Sequence, residues 1–338
     1  MIMLTGATGF LGTQVLHDLV NKGYRVKALY RNRNKIDTAR RVFGFYGDNI
    51  PSKWDQIEWI QGDLLNYFDL MEHMRGVTEV YHTAGMVSFN PRDKEKLFEL
   101  NIQGTINVVN ACLEQGIEKL CHVSSIATLV EPEGTAPVDE DLLWNPGESA
   151  SVYSISKLKG EMEVWRGIHE GLQAVIVNPA VIIGPGMWHS SGGQILREVY
   201  RGLKFYPPGS GGYIDVRDVS SAMIKLMEGK YFGERYIINS ENISHRDFLN
   251  FIADAMQRTR PANRITPLLS RLALMAEAVR ATITGTPSRI TRKALEIAAG
   301  TAVYSNKKIV ETLNMSFIPV RESVQYMVPL FLAETGSA

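Results

Sequence analysis

The 338-residue sequence contains only two cysteines, Cys112 and Cys121, and both stand among apolar neighbours. So few cysteines exclude a disulfide scaffold and a structural zinc cluster, and they suit a reducing compartment. Excess charge is also lacking, because 36 Lys and Arg balance 36 Asp and Glu. A chain without net positive charge has no whole-chain electrostatic basis for nucleic-acid binding. We therefore expect a cytoplasmic protein that binds small molecules and no nucleic acid.

Long hydrophobic runs are absent as well. The longest candidate, residues 268–283, is interrupted by Arg271, Glu277 and Arg280, so the sequence predicts no membrane span. A leader peptide is not expected, because a strand-like run at residues 1–4 meets a glycine motif at once. What the sequence does contain is 45% hydrophobic residues, enough for the buried core of a globular protein.

Short apolar runs alternate with segments of helical period, such as residues 11–22 and 98–115, in the first half of the sequence. The predicted strands are residues 2–5, 25–30, 57–61, 79–82, 119–124 and 174–178. Strands separated by helices imply right-handed crossovers, so we predict an α/β fold with a Rossmann-type, doubly wound parallel sheet. Residues 235–239 predict one more strand that returns to the sheet. The predicted dinucleotide-binding domain is therefore 1–180 plus about 214–240.

The second half of the sequence differs from the first in composition and in predicted secondary structure. Glycines and prolines cluster in loops between residues 184 and 209, and residues 244–338 are predicted to be mostly helical. We assign residues 181–213 and 241–338 to a smaller, mostly helical substrate-binding region. The seven histidines form no metal-binding spacing, so no metal is expected. From Arg258 to Lys293 there are eight basic residues and one acid, which indicates either a solvated basic face or a site for an anionic ligand or surface.

The strongest local motif is Thr-Gly-Ala-Thr-Gly-Phe-Leu-Gly at residues 5–12, which follows the first predicted strand and opens a helix. Its glycines allow a tight turn and a close approach of the backbone to a pyrophosphate, and the helix N-terminus offers free N–H groups. A tight turn without a ligand is the alternative. The motif predicts a dinucleotide site with contacts from Gly6, Thr8, Gly9, Phe10, Leu11 and Gly12.

An acid is missing from the end of the second predicted strand, where it would bind the adenosine ribose and select NAD. That place holds Tyr30 followed by Arg31, and no acid occurs between Asp18 and Asp37. A guanidinium suits a 2′-phosphate because it forms bidentate, charge-assisted hydrogen bonds. Arg31 therefore predicts NADP. NAD is the alternative if Arg31 and Arg33 are ordinary surface charges.

A Tyr-x-x-x-Lys spacing occurs at Tyr153 and again at Tyr200 and Tyr304, so the context must choose among them. Tyr153 begins a helical pattern over residues 152–170, and Ser125 ends the preceding predicted strand. On that helix Tyr153 and Lys157 lie one turn apart on one face. The ammonium is expected to lower the tyrosine pKa from about 10 toward neutrality.

A tyrosine with a lowered pKa can exchange a proton with a carbonyl or alcohol oxygen. Ser125 would hold that oxygen by a hydrogen bond, and Ser124 is the alternative for this role. The sequence therefore predicts a Ser125, Tyr153 and Lys157 site.

Together these motifs resemble the extended short-chain dehydrogenase/reductase superfamily, the NAD-dependent epimerase/dehydratase family, and most of all its dihydroflavonol-reductase-like and 3β-hydroxysteroid-dehydrogenase-like members. Gly62-Asp63-Leu64, Asn178-Pro179 and residues 213–219 resemble three further motifs of the family. The resemblance implies that Lys157 also binds the nicotinamide ribose, and that Asn101 corresponds to a catalytic asparagine on a helix. A structural helix residue is the alternative for Asn101. The cofactor contacts that it implies, besides the glycine loop and Arg31, are Asp63, Leu64, Thr83, Ala84, Gly85, Tyr153, Lys157, Asn178 and Pro179.

The combined prediction is an NADP-dependent oxidoreductase that reduces an aldehyde or ketone to an alcohol through a Ser/Tyr/Lys mechanism. The alternative is a nucleotide-sugar epimerase or dehydratase, which would use a retained NAD and the same three residues. A cofactor-sensing protein without catalysis is disfavoured because Ser125, Tyr153 and Lys157 are all present. The expected ligand is a small carbonyl or alcohol substrate. The oligomeric state considered is a homodimer.

Overall fold

The computed structural model describes residues 1–47, 50–129, 137–142, 150–186, 188, 191–284 and 291–336. The strands in these residues are β1 (Ile2–Thr5), β2 (Val26–Tyr30), β3 (Glu58–Gln61), β4 (Glu79–His82), β5 (Lys119–Val123), β6 (Ala174–Pro179), β7 (Val181–Ile183), β8 (Phe205–Tyr206), β9 (Ser210–Asp215), β10 (Glu234–Ile238), β11 (Glu241–Ser244) and β12 (Asn263–Arg264).

The α-helices in the same residues are α1 (Phe10–Asn21), α2 (Asn34–Phe43), α3 (Ile50–Trp54), α4 (Tyr67–His73), α5 (Lys94–Phe98), α6 (Gly104–Glu114), α7 (Val152–His169), α8 (Ser191–Tyr200), α9 (Val216–Glu228), α10 (His245–Ala255), α11 (Pro267–Thr284), α12 (Arg292–Ala299), α13 (Lys307–Leu313) and α14 (Val320–Thr335). Short 3₁₀ turns and one π-helical turn, Glu99–Gln103, connect some of them. Across the described ranges, no helix is both long and apolar enough to cross a bilayer.

Seven strands form one parallel sheet in the order β10-β6-β5-β4-β1-β2-β3. The chain runs outward from β1 to β3 and then returns to β4 on the other side of β1. This reversal is a topological switch point, where open α/β sheets bind ligands at the carboxyl ends of the strands. Thr5 and His82, which end β1 and β4, are partners in the register. The turns after these two strands therefore meet at the edge where a ligand is expected.

The central sheet is covered on both faces, as an all-parallel sheet requires. Along β1, Ile2 and Leu4 belong to one apolar cluster with side chains of α1 and α9. Met3 points to the opposite face and joins a second cluster with side chains of α6 and α7. The alternation follows from the two-residue period of a strand. Because both faces are buried, the interior strands β1 and β6 are near-continuous apolar runs.

Two smaller sheets lie outside the central one. One has the order β11-β9-β7 and the other pairs β12 with β8. A third apolar cluster joins α8, α10 and α14, with Leu196, Phe248 and Phe331 among its buried side chains. The region after residue 180 thus contains short strands that the sequence did not predict, alongside the predicted helices.

The predicted fold class is confirmed, and each predicted strand lies within one residue of an observed strand at either end. The returning strand, predicted at 235–239, is β10, and it pairs with β6 in parallel. The predicted helix 98–115 differs from the structure, because α5 starts earlier and the π-helical turn separates it from α6. In that turn the Asn101 carbonyl accepts from the Thr105 hydroxyl at 2.8 Å. The division into two domains stays a prediction.

Candidate active site

The glycine turn lies between β1 and α1, at the switch point of the sheet. Gly6 has a φ of +74°, and a Cβ built there would lie only 2.6 Å from the Ala84 nitrogen. A Cβ on Gly12 would overlap the Gly6 carbonyl oxygen. Both positions therefore require glycine. Helix α1 begins after Gly9, which has no side chain to cap it, so N–H groups of the first turn point outward for an anion.

The other predicted residues of this turn divide by side-chain direction. Leu11 is buried in the core cluster of α1. Phe10 packs against the turn at 184–186, since a Cβ on Gly186 would lie 2.6 Å from the Phe10 ring. Their side chains serve packing, so any cofactor contact from Phe10 or Leu11 would come from the backbone. Thr8 lies in the turn itself.

Arg31 and Asp63 meet at the ends of neighbouring strands. Arg31 follows β2 and Asp63 comes shortly after β3, and the Arg31 Nη1 lies 3.9 Å from the Asp63 Oδ2. The Arg31 side chain is 66% exposed, so this long ion pair constrains it little. Leu64 is buried, and its carbonyl accepts from the Asn107 amide at 2.7 Å. The structure thus leaves the guanidinium accessible at the predicted adenosine end.

The loop after β4 connects the glycine turn to Lys157. Thr83 donates from Oγ1 to the Thr5 carbonyl at 2.7 Å, and the Ala84 backbone packs against Gly6. A Cβ on Gly85 would lie 3.4 Å from the Asn101 Oδ1 and 3.7 Å from the Lys157 Nζ. Thr83, Ala84 and Gly85 therefore line one continuous edge from the glycine turn to the lysine.

Asn101 joins this loop to α7. Its Oδ1 accepts from the Met86 nitrogen at 2.8 Å, and its Nδ2 donates to the Met86 carbonyl at 2.9 Å and to the Ser156 hydroxyl at 2.9 Å. The side chain is 2% exposed. A Cβ on Gly160 would overlap the Asn101 carbonyl, so α7 packs directly on the π-helical turn. The amide positions the Met86 loop against the helix.

Ser125, Tyr153 and Lys157 come together where β5 ends and α7 begins. Ser151 caps α7 by accepting from the Ser154 nitrogen at 2.9 Å, which puts Tyr153 in the first turn. Its side chain lies beside that of Ser125, which acts on the pKa of Tyr153. One turn later, the Lys157 Nζ donates to the Val123 carbonyl at 2.7 Å. The predicted trio is thus one cluster.

The choice between Ser124 and Ser125 is visible in their contacts. Ser125 lies beside Tyr153, and its hydroxyl oxygen accepts from the Ala127 nitrogen at 3.1 Å. Ser124 turns the other way and donates to the Glu161 Oε2 at 2.5 Å. Ser124 is 4% exposed, so it faces the interior. Ser125 is the hydroxyl on the side of Tyr153.

The electrostatics contradict one expectation. Burial raises the pKa of Tyr153, and the neighbouring Ser125 side chain opposes this effect without reversing it. A pKa lowered toward neutrality was therefore wrong for this arrangement, because desolvation disfavours the phenolate and the Lys157 ammonium is directed to the Val123 carbonyl. Burial lowers the pKa of Lys157 to about 8, while the charge of Glu161 raises it.

Two buried histidines lie beneath Lys157. The His82 Nδ1 is hydrogen-bonded to the Thr5 hydroxyl at 2.7 Å, and the His122 ring is tilted by 36° to the His82 ring with the centroids 5.1 Å apart. Burial, followed by the charge of Lys157, lowers the pKa of His82 to about 3 and lowers that of His122 well below its usual value. Both rings are therefore neutral. In the part of the chain that the structure describes, no group of three or more His, Cys, Asp or Glu could hold a metal ion.

Sequence reasoning missed two residues of the site. The Phe89 ring stands edge-on to Tyr153 with centroids 5.6 Å apart, and it is 37% exposed. Glu161 is buried one turn beyond Lys157 and accepts from the Asn178 amide at 2.9 Å. The spacing Lys-x-x-x-Glu could have indicated Glu161. No pattern pointed to Phe89, which comes from the loop after β4.

Comparison with known proteins agrees with this geometry. Residues 2–239 match the family described as the NAD dependent epimerase/dehydratase family. The chain is 30% identical to a putative dihydroflavonol 4-reductase of Synechocystis sp. over 97% of this chain and 93% of that protein. It is 29% identical to cinnamoyl-CoA reductase 1 of Petunia hybrida over 73% of this chain and 74% of that protein.

A solved structure has the same fold. The UDP-glucuronic acid 4-epimerase of Bacillus cereus, in complex with UDP-glucuronic acid and NAD, superposes with a TM-score of 0.75 at 18% identity, covering 98% of this chain and 99% of that one. The protein belongs to the NAD-dependent epimerase/dehydratase family. Members of this family are NAD(P)-dependent oxidoreductases and epimerases or dehydratases. It is an enzyme of this kind with an extended short-chain dehydrogenase/reductase fold.

Proposed function

We propose that the protein is an NADP-dependent reductase that converts an aldehyde or ketone to an alcohol. The observation that carries the proposal is the proximity of the Tyr153 and Ser125 side chains, with Lys157 one turn away at the switch point of the sheet. Two hydroxyls that already meet can both bond one substrate oxygen. Such a pair holds a carbonyl in place and supplies a proton to it.

The chain's own residues account for the proton. Ser125 and Tyr153 donate hydrogen bonds to the carbonyl oxygen, and the Tyr153 hydroxyl gives its proton to that oxygen as negative charge develops there. Lys157, with a pKa of about 8, is mostly protonated at neutral pH and stabilises the phenolate that remains. When bound, the nicotinamide supplies the hydride.

The residues present fit a dinucleotide. Gly6 and Gly12 have no room for a side chain, so the backbone itself would line the pyrophosphate site with Gly9 and Thr8. We assign the nicotinamide end to Tyr153, Lys157, Asn178 and Pro179, with Thr83, Ala84 and Gly85 along the edge between the two ends. Asp63 and Leu64 are assigned to the adenine. Asn101 is proposed to act through the Met86 loop and α7.

The proposed preference for NADP over NAD rests on Arg31. The guanidinium is exposed at the end of β2, where a 2′-phosphate would lie. Asp63 is 3.9 Å away and would compete weakly for it. A bidentate contact to phosphate is stronger than this long pair. NAD remains the alternative cofactor, since NAD is present in the solved Bacillus cereus epimerase.

The substrate class is proposed from the relatives and from Phe89. Two relatives carry the names of reductases, of a dihydroflavonol and of cinnamoyl-CoA. Phe89 presents an aromatic ring beside Tyr153, which suits an apolar or aromatic carbonyl. We propose that residues 181–213 and 241–338 shape the rest of the pocket. We also infer a cytoplasmic enzyme, because Cys112 and Cys121 are both free and buried.

A nucleotide-sugar epimerase or dehydratase is the second candidate, and the basic run from Arg258 to Lys293 favours it. Several of those charges are engaged, however: Arg258 lies over the Tyr200 ring at 4.5 Å, and Arg260 and Arg280 pair with acids. Residues 285–290 of the run lie outside the described residues. A pyrophosphate would therefore find fewer available cations than the sequence suggests.

One experiment separates the two candidates. Purified protein is mixed with NADPH and a panel of aromatic, aliphatic and steroid-like carbonyls, and the loss of NADPH absorbance is followed. In parallel the protein is denatured and the supernatant is assayed for NAD. A reductase consumes NADPH with at least one carbonyl. Stoichiometric bound NAD with no NADPH consumption would move the assignment to an epimerase or dehydratase. Light scattering during size-exclusion chromatography tests the homodimer.

A further inference from the structure

Glu161 is a carboxylate in the interior, one helical turn beyond Lys157 on α7. Its side chain is 1% exposed. Burying a charge is costly unless the charge is paired and hydrogen-bonded. A chain that keeps such a group next to its candidate active site compensates this cost with contacts, and those contacts indicate its role.

One oxygen of Glu161 collects three donors from two strand ends. Its Oε2 accepts from the Ser124 hydroxyl at 2.5 Å, from the Thr128 hydroxyl at 3.0 Å and from the Asn178 amide at 2.9 Å. Ser124 and Thr128 belong to the segment after β5, and Asn178 lies near the end of β6. The carboxylate therefore ties α7 to both strands.

The other oxygen reaches further across the sheet. Its Oε1 accepts from the Trp165 indole at 3.4 Å and from the Arg235 Nη1 at 3.3 Å. Arg235, on β10, directs its other donors to the carbonyls of Glu140 and Leu142 at 2.6–2.9 Å. All five groups around Glu161 direct a hydrogen-bond donor at it. Only an ionised carboxylate, which accepts at both oxygens, suits this set of donors.

These bonds determine where Ser125 lies. Ser124 precedes it directly, and the single Thr128 hydroxyl hydrogen is shared between the Ser125 carbonyl at 2.9 Å and the Glu161 Oε2 at 3.0 Å. The Asn178 amide contacts the Ser125 carbonyl at 3.2 Å and Glu161 at 2.9 Å. The 3₁₀ turn that Ser125 starts is therefore held from both ends by one carboxylate.

Glu161 is also the acidic group that acts on Lys157. Around the ammonium, Tyr153 lies on the same helix, His82 on β4 and His122 on β5, and all three are uncharged at neutral pH. Arg235 on β10 is already paired with Glu161. Burial lowers the pKa of Lys157, and Glu161 opposes that effect.

We propose that Glu161 is a positioning residue for the site: its carboxylate holds the Ser125 turn against the helix that carries Tyr153, and its charge keeps Lys157 protonated in a dry environment. The catalytic part of this inference rests on the proposed function. The effect on Lys157 does not, because it can be measured without substrate. Both effects follow from one buried charge, so a single substitution tests them together.

The test is Glu161→Gln, which keeps the shape and removes the charge. Misplacement of Ser125 is expected to lower kcat about 10–100-fold, with KM for the carbonyl changed much less. Lys157 loses the charge that raises its pKa, so the alkaline fall of kcat/KM moves to lower pH, by about one unit or more. The same shift is read without turnover from the ¹³Cε resonance of Lys157, which is assigned by its loss in Lys157→Met.

Three variants serve as controls. Glu163→Gln makes the same change two residues further on α7, at a carboxylate that pairs with Arg166 at 2.9 Å, and it is expected to change neither quantity. Glu161→Asp keeps the charge but is too short for all the bonds, so the alkaline limb stays while kcat falls in part. Thr128→Val removes one donor and keeps the charge, so it also lowers kcat without moving the limb.

The outcomes are distinct. A wild-type kcat and an unmoved Lys157 titration in Glu161→Gln overturn the proposal. A lower kcat in Glu161→Gln with an unmoved Lys157 titration would mean that Glu161 only supports the structure. That result also overturns the proposal. If Glu161→Gln does not fold, as judged by its melting transition, Glu161→Asp and Thr128→Val decide, and an unchanged kcat in both overturns the proposal. If wild-type protein reduces no carbonyl, the proposed function fails, while the Lys157 resonance still tests Glu161.

Discussion

The Tyr153 hydroxyl and the Ser125 side chain lie next to each other across the boundary between α7 and the end of β5. The pair brings a residue of the first helical turn to the N-cap of a 3₁₀ turn. The two residues come from separate elements, so their relative position depends on how α7 packs on the sheet. Substitutions at this pair and at the groups that surround it therefore have distinct expected effects.

Replacing Tyr153 by Phe removes only the phenolic oxygen. If Tyr153 is the proton donor, turnover of carbonyl substrate falls by about 10²–10⁴-fold, while NADPH affinity, measured by fluorescence quenching, stays nearly unchanged. Tyr200→Phe is the matched control, because its ring lies under Arg258 and carries the same spacing to a lysine. Substantial activity in Tyr153→Phe would contradict the assignment of Tyr153 as the proton donor.

The activity is expected to decline at alkaline pH. Burial lowers the pKa of Lys157 to about 8, so the ammonium is present below this pH and is lost as the pH rises through it. We expect kcat/KM to be constant on the neutral side and to fall above about pH 8. The measurement is a pH profile at limiting carbonyl. Lys157→Ala should reduce both turnover and NADPH affinity, and a full retention of affinity would contradict a contact with the ribose.

Above the pKa of Lys157, its contribution to the free energy of unfolding is expected to rise with pH while the activity falls. The pKa of Lys157 in the folded protein is about 8, below its ordinary value of 10.5, so the unfolded chain binds more protons between these two values. The contribution of Lys157 to the free energy of unfolding therefore rises with pH in this window. Urea unfolding of wild type and Lys157→Met at two pH values in it isolates this contribution, which should be absent from the variant.

Arg31→Ala tests the cofactor preference. Loss of a charge-assisted contact to a 2′-phosphate is expected to weaken NADP binding by about 1.5–3 kcal/mol, and NAD binding should change little because NAD has no such group. Arg33→Ala is the matched control, being exposed at the N-cap of α2. Equal wild-type affinity for NAD and NADP would contradict the role of Arg31.

Gly6→Ala tests the close approach in the glycine turn. The substitution places a Cβ at a φ of +74° and 2.6 Å from the Ala84 nitrogen. Gly23→Ala has a similar φ of +83° with no atom within 4 Å, so it carries the backbone strain alone, about 1–2 kcal/mol. Urea unfolding should show a larger loss for Gly6→Ala, together with a loss of cofactor affinity that Gly23→Ala does not share.

Local patterns predicted most of the first half. The motif at residues 5–12 and the alternating strands and helices were correct because each is a short-range pattern of apolar period, turn residues and glycine. The short strands after residue 180, such as β7 and β9, were not predicted. Their pairing depends on contacts between distant segments, for example Val181 with Tyr213, and such pairing leaves little periodicity in a short stretch.

The sequence by itself determined the fold class and the glycine turn, and it predicted a site of Ser125, Tyr153 and Lys157 with Ser124 as the alternative serine, since residue type and spacing along the chain carry that information. Only the tertiary structure decided that Ser125 meets Tyr153 while Ser124 turns to Glu161. It also decided that burial raises the pKa of Tyr153. The physical reason is the same in both cases: hydrogen-bond partners and desolvation depend on which distant elements pack around a group, and α7 is packed against the ends of β5 and β6 by long-range contacts.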